Sequence, residues 1–123
     1  MRVLVVDDSK TMRKILKSIL TELGYTEAEE ACNGQDALTK VGAFNPDLLL
    51  VDWHMPIMDG ITFVKTYRKQ GNKTPIIFVT SENEKTRVIE AIKAGVNSYV
   101  MKPFTPEILR ERIIETMAKV AAA

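Results

Sequence analysis

Residues 48–60 read LLLVDWHMPIMDG. Leu48–Val51 is an unbroken aliphatic run that stops on a carboxylate, Asp52, before a loop marked by Pro56 and Asp59-Gly60. A short apolar run without polar alternation predicts a strand buried on both faces, as strands are in parallel sheets covered by helices. Val3–Val6 and Ile76–Val79 have the same character, and Ser98–Met101 is a fourth candidate. Glu27–Ala31 is a fifth, whose glutamates suit the edge of a sheet better than its centre.

Amphipathic stretches separate these runs. Met12, Ile15, Leu16, Ile19, Leu20 and Leu23 recur at helical spacing and stop at Gly24. Gly34–Ala43 ends at Asn45-Pro46, Ile61–Lys69 ends before Gly71, and Glu84–Ala94 ends at Gly95. Ser81 and Glu84 have capping-box spacing for that fourth helix. Thr105 precedes Pro106–Val120 as an N-cap, with proline at the first helical position. Strand and helix alternate five times, which predicts an α/β domain: a doubly wound parallel sheet with helices on both faces.

The chain has 123 residues, 17 basic against 16 acidic side chains, 46% apolar and 27% charged residues. That fits one globular domain, 1–123, and excludes a disordered chain. The near-neutral balance argues against a nucleic-acid binder. A single cysteine, Cys32, excludes an internal disulfide, and it reads as a partly buried filler. No run approaches the ~18 apolar residues of a membrane span, and MRVLVVDD is too short in its apolar part for a signal peptide. The expectation is a cytoplasmic monomer that binds neither membrane nor nucleic acid.

The residues that end the buried runs carry the chemistry. They are Asp7-Asp8, Asp52, Thr80-Ser81 and Lys102-Pro103. In a parallel sheet all carboxyl ends lie on one edge, where ligands bind. Clustered carboxylates repel unless a cation neutralises them, and hard oxygen donors select Mg²⁺ with a phosphate oxygen. A lysine and a hydroxyl beside them would clamp a phosphoryl group. Asp52 reads as the nucleophile, because aspartate can form an acyl phosphate, and Asp7 with Asp8 as the metal pair. Each residue also has a plainer role. Asp8, Thr80 or Ser81 would each serve as a helix cap, and Lys102 as a solvated surface residue. Those roles would all have to coincide at one sheet edge.

With those residues placed, the sequence resembles the receiver domains of two-component response regulators. The likeness rests on VVDDS at 5–9, LLLVDWHMPIMDG at 48–60, FVTS at 78–81 and AGVNSYVMKPF at 94–104. It implies a flavodoxin-like five-stranded sheet of order 2-1-3-4-5 with five helices. It implies that Asp52 is the phosphoacceptor and that Mg²⁺ is held by Asp7, Asp8, Asp52 and the backbone carbonyl of His54. Thr80 becomes the hydroxyl that moves to the phosphoryl oxygen, Lys102 its ionic partner, and Tyr99 the switch aromatic. Lys102-Pro103 matches a peptide bond that is cis in the family. Ser81 is small and leaves the phosphoryl group accessible. His54 stands where the best-known chemotaxis regulators have asparagine. With Glu82 it would lie at the mouth of the site and bear on the hydrolytic water, and on any need for a separate phosphatase.

Trp53, Tyr99 and the KPFTPEIL segment make the chain similar to stand-alone chemotaxis regulators of the CheY type. That resemblance implies a histidine kinase of the CheA type as donor and the flagellar motor switch as target. The partner surface would include Lys85, Tyr99, Met101 and Arg112, with Val88 and Ile92 reading first as core. Lys10, Arg13, Lys14 and Lys17 read first as a solvated helix face, with a docking surface for a kinase partner as the alternative. The function implied is a phosphorylation-activated switch, not a turnover enzyme. The alternatives are a receiver from a longer regulator, a phosphorelay intermediate and a small Mg²⁺-dependent phosphohydrolase. An FMN carrier is disfavoured, because DDSK puts carboxylates where its phosphate loop belongs.

Overall fold

The computed structural model describes residues 1–122, so the last residue of the expected 1–123 domain lies outside the described residues. Strand and helix alternate throughout. The strands are β1 (Arg2–Val6), β2 (Glu27–Ala31), β3 (Leu48–Val51), β4 (Ile76–Thr80) and β5 (Ser98–Met101). The helices are α1 (Lys10–Glu22), α2 (Gly34–Phe44), α3 (Gly60–Lys69), α4 (Lys85–Ala94) and α5 (Pro106–Ala122). The strands form one parallel sheet in the order β2-β1-β3-β4-β5. The glutamate-rich strand is at an edge, as its composition predicts.

Strand alternation builds two cores. Leu4, Val6, Leu49, Val51, Ile76 and Phe78 point to one face and meet α2, α3 and α4 through Ala37, Phe63, Val64, Tyr67 and Ala91. Val3, Val5, Leu48, Leu50, Ile77 and Val79 point to the other and meet α1 and α5 through Leu16, Leu20, Leu109 and Ile113. Central strands covered on both faces need apolar residues at every position, which is why β1, β3 and β4 read as continuous runs.

Side-chain caps start four helices. Ser9 accepts from the Met12 N–H at 3.2 Å, Asn33 from Asp36 at 2.8 Å, Asp59 from Thr62 at 2.9 Å and Thr105 from Ile108 at 3.2 Å. The helix α4 is different. Its N-cap is Glu84, with no side-chain capping bond, so the expected Ser81–Glu84 capping box does not form. Thr80 continues β4, and Ser81 follows it outside the helix. Two other expectations are corrected. Ile92 is 50% exposed because it lies on the outer side of α4, where Ala91 alone is buried. Cys32 is exposed, since it follows β2 at the sheet edge.

Candidate functional site

The carboxyl edge of the sheet collects the polar residues. Asp7 follows β1 and is buried, Asp52 follows β3 and is nearly buried, and Asp8 is exposed at the rim. One carboxylate oxygen from each lies within 4.8 Å of the others. Lys102, just after β5, donates to Asp7 Oδ2 at 2.8 Å and to Asp52 Oδ2 at 3.1 Å. Asp7 Oδ1 accepts the Ser9 N–H at 2.9 Å, and Asp52 Oδ1 accepts the Trp53 N–H at 2.7 Å. Lys102-Pro103 is cis.

The plainer roles do not describe these residues. Ser9, not Asp8, caps α1. Neither Thr80 nor Ser81 caps α4. The Lys102 side chain is only 17% exposed and is committed to two carboxylates. Three carboxylates and one ammonium leave an excess of two formal negative charges. Burial raises the Asp7 pKa, more than its bonds from Lys102 and Ser9 lower it. Burial pulls the Lys102 ammonium down, but its hydrogen bond to Asp7 and the charge of Asp52 outweigh that, and its pKa rises. Both groups therefore hold their protons more tightly than usual, Asp7 because it is buried and Lys102 because two carboxylates face it. A cluster of hard, anionic oxygens in charge deficit is one that can hold a small divalent cation.

A second group surrounds the mouth. Glu82 touches three of the residues singled out above. Its N–H donates to Thr80 Oγ1 at 3.2 Å, its carbonyl accepts from the Tyr99 hydroxyl at 2.8 Å, and Oε1 pairs with His54 Nε2 at 3.1 Å. Burial pushes Glu82 up, but hydrogen bonds from Glu84 and His54 outweigh it and set the pKa below the ordinary value. Tyr99 is raised to about 12, first by burial and then by the charges of Glu82 and Asp52. Thr80 is fully buried, while Ser81 is exposed. Lys85 and Met101 are exposed; Tyr99 and Arg112 are half-buried. Lys85 lies on α4, Tyr99 and Met101 on the edge strand β5, and Arg112 on α5.

Trp53 is buried against Phe78, with ring centroids 5.5 Å apart, and Arg87 of α4 lies 5.7 Å from its centroid. Two residues with a bearing on the site were not singled out for it from the sequence. Gly60 has its Cα so close to the Asp52 strand end that an added Cβ would fall 2.1 Å from the Asp52 carbonyl oxygen. The MDG ending of the loop is its only sequence signal. Arg13 reaches the Asp7 carbonyl, and nothing in the periodicity of α1 distinguishes it from its basic neighbours.

The response regulator receiver domain family matches residues 3–114. Chemotaxis protein CheY1 of Helicobacter pylori is 48% identical over 117 residues, 92% of this chain and 94% of that protein. Chemotaxis protein CheY of Pseudomonas aeruginosa is 42% identical over 122 residues, 98% of each. The structure of Vibrio cholerae chemotaxis protein CheY4 superposes with a TM-score of 0.87 at 35% identity, covering 94% of this chain and 97% of that one. Sequence and fold together show that this chain belongs to the response regulator receiver domain family.

Proposed function

We propose that the protein is a phosphorylation-activated signalling switch in which Asp52 accepts a phosphoryl group from a histidine kinase. The observation that carries this reading is the bonding of Lys102 to both Asp7 and Asp52 within a three-carboxylate cluster. Asp7, Asp8, Asp52 and the backbone carbonyl of His54 would hold Mg²⁺, which when bound neutralises charge on the transferring group. An Asp52 oxygen attacks phosphorus. A P–O bond forms, the P–N bond of the donor phosphohistidine breaks, and the electron pair leaves with the imidazole, which takes up a proton. The Lys102 ammonium offsets the charge that accumulates on the phosphoryl oxygens. In hydrolysis a water attacks phosphorus, the bond to Asp52 breaks and phosphate leaves. The paired His54 and Glu82 would bear on the entry of that water, and the small Ser81 would leave the phosphoryl group accessible.

Signal transmission runs through Glu82. Once the acceptor carries a dianion, the Thr80 hydroxyl turns toward it and gives up the 3.2 Å bond from the Glu82 N–H. The same residue's carbonyl holds the Tyr99 hydroxyl, so its displacement alters the position of Tyr99. Lys85, Tyr99, Met101 and Arg112 then present a different surface to a target. Phosphorylation biases two existing conformations by no more than the difference in interaction between them. The protein is a switch, catalysing only its own phosphorylation and dephosphorylation. The names of its relatives support chemotaxis as the pathway; the donor and target in this proposal are a histidine kinase of the CheA type and the flagellar motor switch.

The test uses Trp53, which neighbours the acceptor. Its fluorescence should change with Mg²⁺ and again with acetyl phosphate. Asp52→Asn should lose the second change. A wild type that binds Mg²⁺ but does not respond to the donor would refute the assignment.

A further inference from the structure

Asp7 is where the sheet ends and the acidic turn begins. Its N–H donates to the Ala31 carbonyl of β2 at 3.0 Å. Its carboxylate is fixed by the Ser9 N–H and by Lys102. Its own carbonyl lies one residue beyond Val6–Val51, the last β1–β3 pair. That oxygen accepts from Arg13 Nη1 of α1 at 2.8 Å. The same guanidinium donates from Nε to Glu30 Oε1 of β2 at 2.9 Å, and Lys17 holds the other Glu30 oxygen at 3.2 Å.

The Arg13 side chain is 15% exposed, which separates it from the solvated basic face expected of α1. A guanidinium is planar, and its N–H directions are fixed relative to one another. Glu30 sets the orientation of that plane through Nε. The plane then directs Nη1 at the Asp7 carbonyl. Turning the Asp7–Asp8 peptide would break this bond and swing the Asp8 carboxylate away from Asp7 and Asp52. We propose that Arg13, oriented by Glu30, is a positioning residue that holds Asp7 and Asp8 in metal-binding geometry. The proposal rests on the reading of the Asp7–Asp8–Asp52 cluster as the Mg²⁺ site.

Arg13 has two effects of opposite sign. Its charge alone repels a cation nearby, so removing it would tighten Mg²⁺ binding. Its hydrogen bond holds the ligands in place, so removing it would weaken binding, as loss of a group that orients a metal ligand does. The sign of the change therefore decides between them.

The experiment titrates Mg²⁺ into the unphosphorylated protein while following Trp53 fluorescence. It compares wild type with Arg13→Gln, Arg13→Lys and Glu30→Gln, each verified as folded by circular dichroism. Arg13→Lys keeps the charge but lacks the fork. The dissociation constant should rise at least about threefold, and towards tenfold, in both Arg13 variants. A smaller rise in either, or a fall, overturns the proposal. If Arg13→Gln does not fold, Arg13→Lys and Glu30→Gln decide by the same threshold. A wild type that binds no Mg²⁺ would remove the site reading and this role with it. A wild type that binds, with variants that bind as well, would remove only the role of Arg13.

Discussion

Lys102 carries the positive charge that faces the acidic site. Among the described residues it is the one cation in contact with both Asp7 and Asp52. Replacing it with methionine strands a buried carboxylate pair, and the cost should be about 3–5 kcal/mol, because the partner charges remain. Mg²⁺ would supply the missing charge, so it should raise the melting temperature of Lys102→Met more than that of wild type. Equal Mg²⁺-induced shifts in thermal unfolding would contradict this account. Tyr99 gives a second test at this scale. Its phenol is raised to about 12 from an ordinary 10.0, by burial first and then by Glu82 and Asp52. The folded pKa is above the unfolded one, so the stability it contributes is complete below pH 10.0 and is lost as the pH rises through about 12. Ultraviolet titration should show a phenolate step near about 12 that Tyr99→Phe lacks. A Tyr99 step at the ordinary value would show that its bond to Glu82 and its burial are wrongly described.

The connections between elements are as constrained as the site residues. In the loop from β3 to α3, Gly60 starts the helix against the Asp52 carbonyl, and an added methyl would sit 2.1 Å from that oxygen. Gly60→Ala must push the loop away from Asp52, and should cost about 3 kcal/mol in chemical denaturation. A loss below about 1 kcal/mol would mean that the loop yields without strain. The link between α1 and β2 has a pH signature. The Arg13 hydrogen bond, ahead of the opposing burial, brings the Glu30 carboxyl below its ordinary 4.5. Its contribution is therefore present above pH 4.5 and lost as the pH falls through the lower folded value. The difference in melting temperature between wild type and Glu30→Gln should exist at neutral pH and disappear as the pH falls well below 4.5. A difference that persists there would mean that the pair is not the source. These elements also show what a sequence reveals. Strands β1, β3 and β4 are legible because two-sided burial forces every position to be apolar. Helix α1 is legible because one face repeats. The start of α4 is not, because Ser81 and Glu84 have capping spacing while Thr80 extends β4 and the cap falls on Glu84 itself. Ile92 misleads because periodicity says which residues share a face, not whether that face is covered.

At the scale of the molecule, the carboxyl ends of separate strands bring Asp7, Asp52, Thr80 and Lys102 to one edge, from positions 95 residues apart in the chain at the extremes. That convergence follows from parallel topology, so the residues of the site could be read before any distance was known. The contacts of Arg13 and of Glu82 could not, since each depends on where one side chain reaches between elements. The same topology separates input from output. In the proposed function the acidic edge would receive the phosphoryl group and α4, β5 and α5 would form the responding surface, with Glu82 bonded to both Thr80 and Tyr99 between them. No described helix is long and apolar enough to cross a membrane. The central claim is that Asp52 is the acceptor and that the acidic site drives its phosphorylation. Intact-mass spectrometry after incubation with acetyl phosphate tests it most directly. With Mg²⁺ the wild type should gain the mass of one phosphoryl group, and neither Asp52→Asn nor the wild type in chelator should gain it. Equal phosphoryl incorporation in Asp52→Asn would place the acceptor elsewhere and contradict the account.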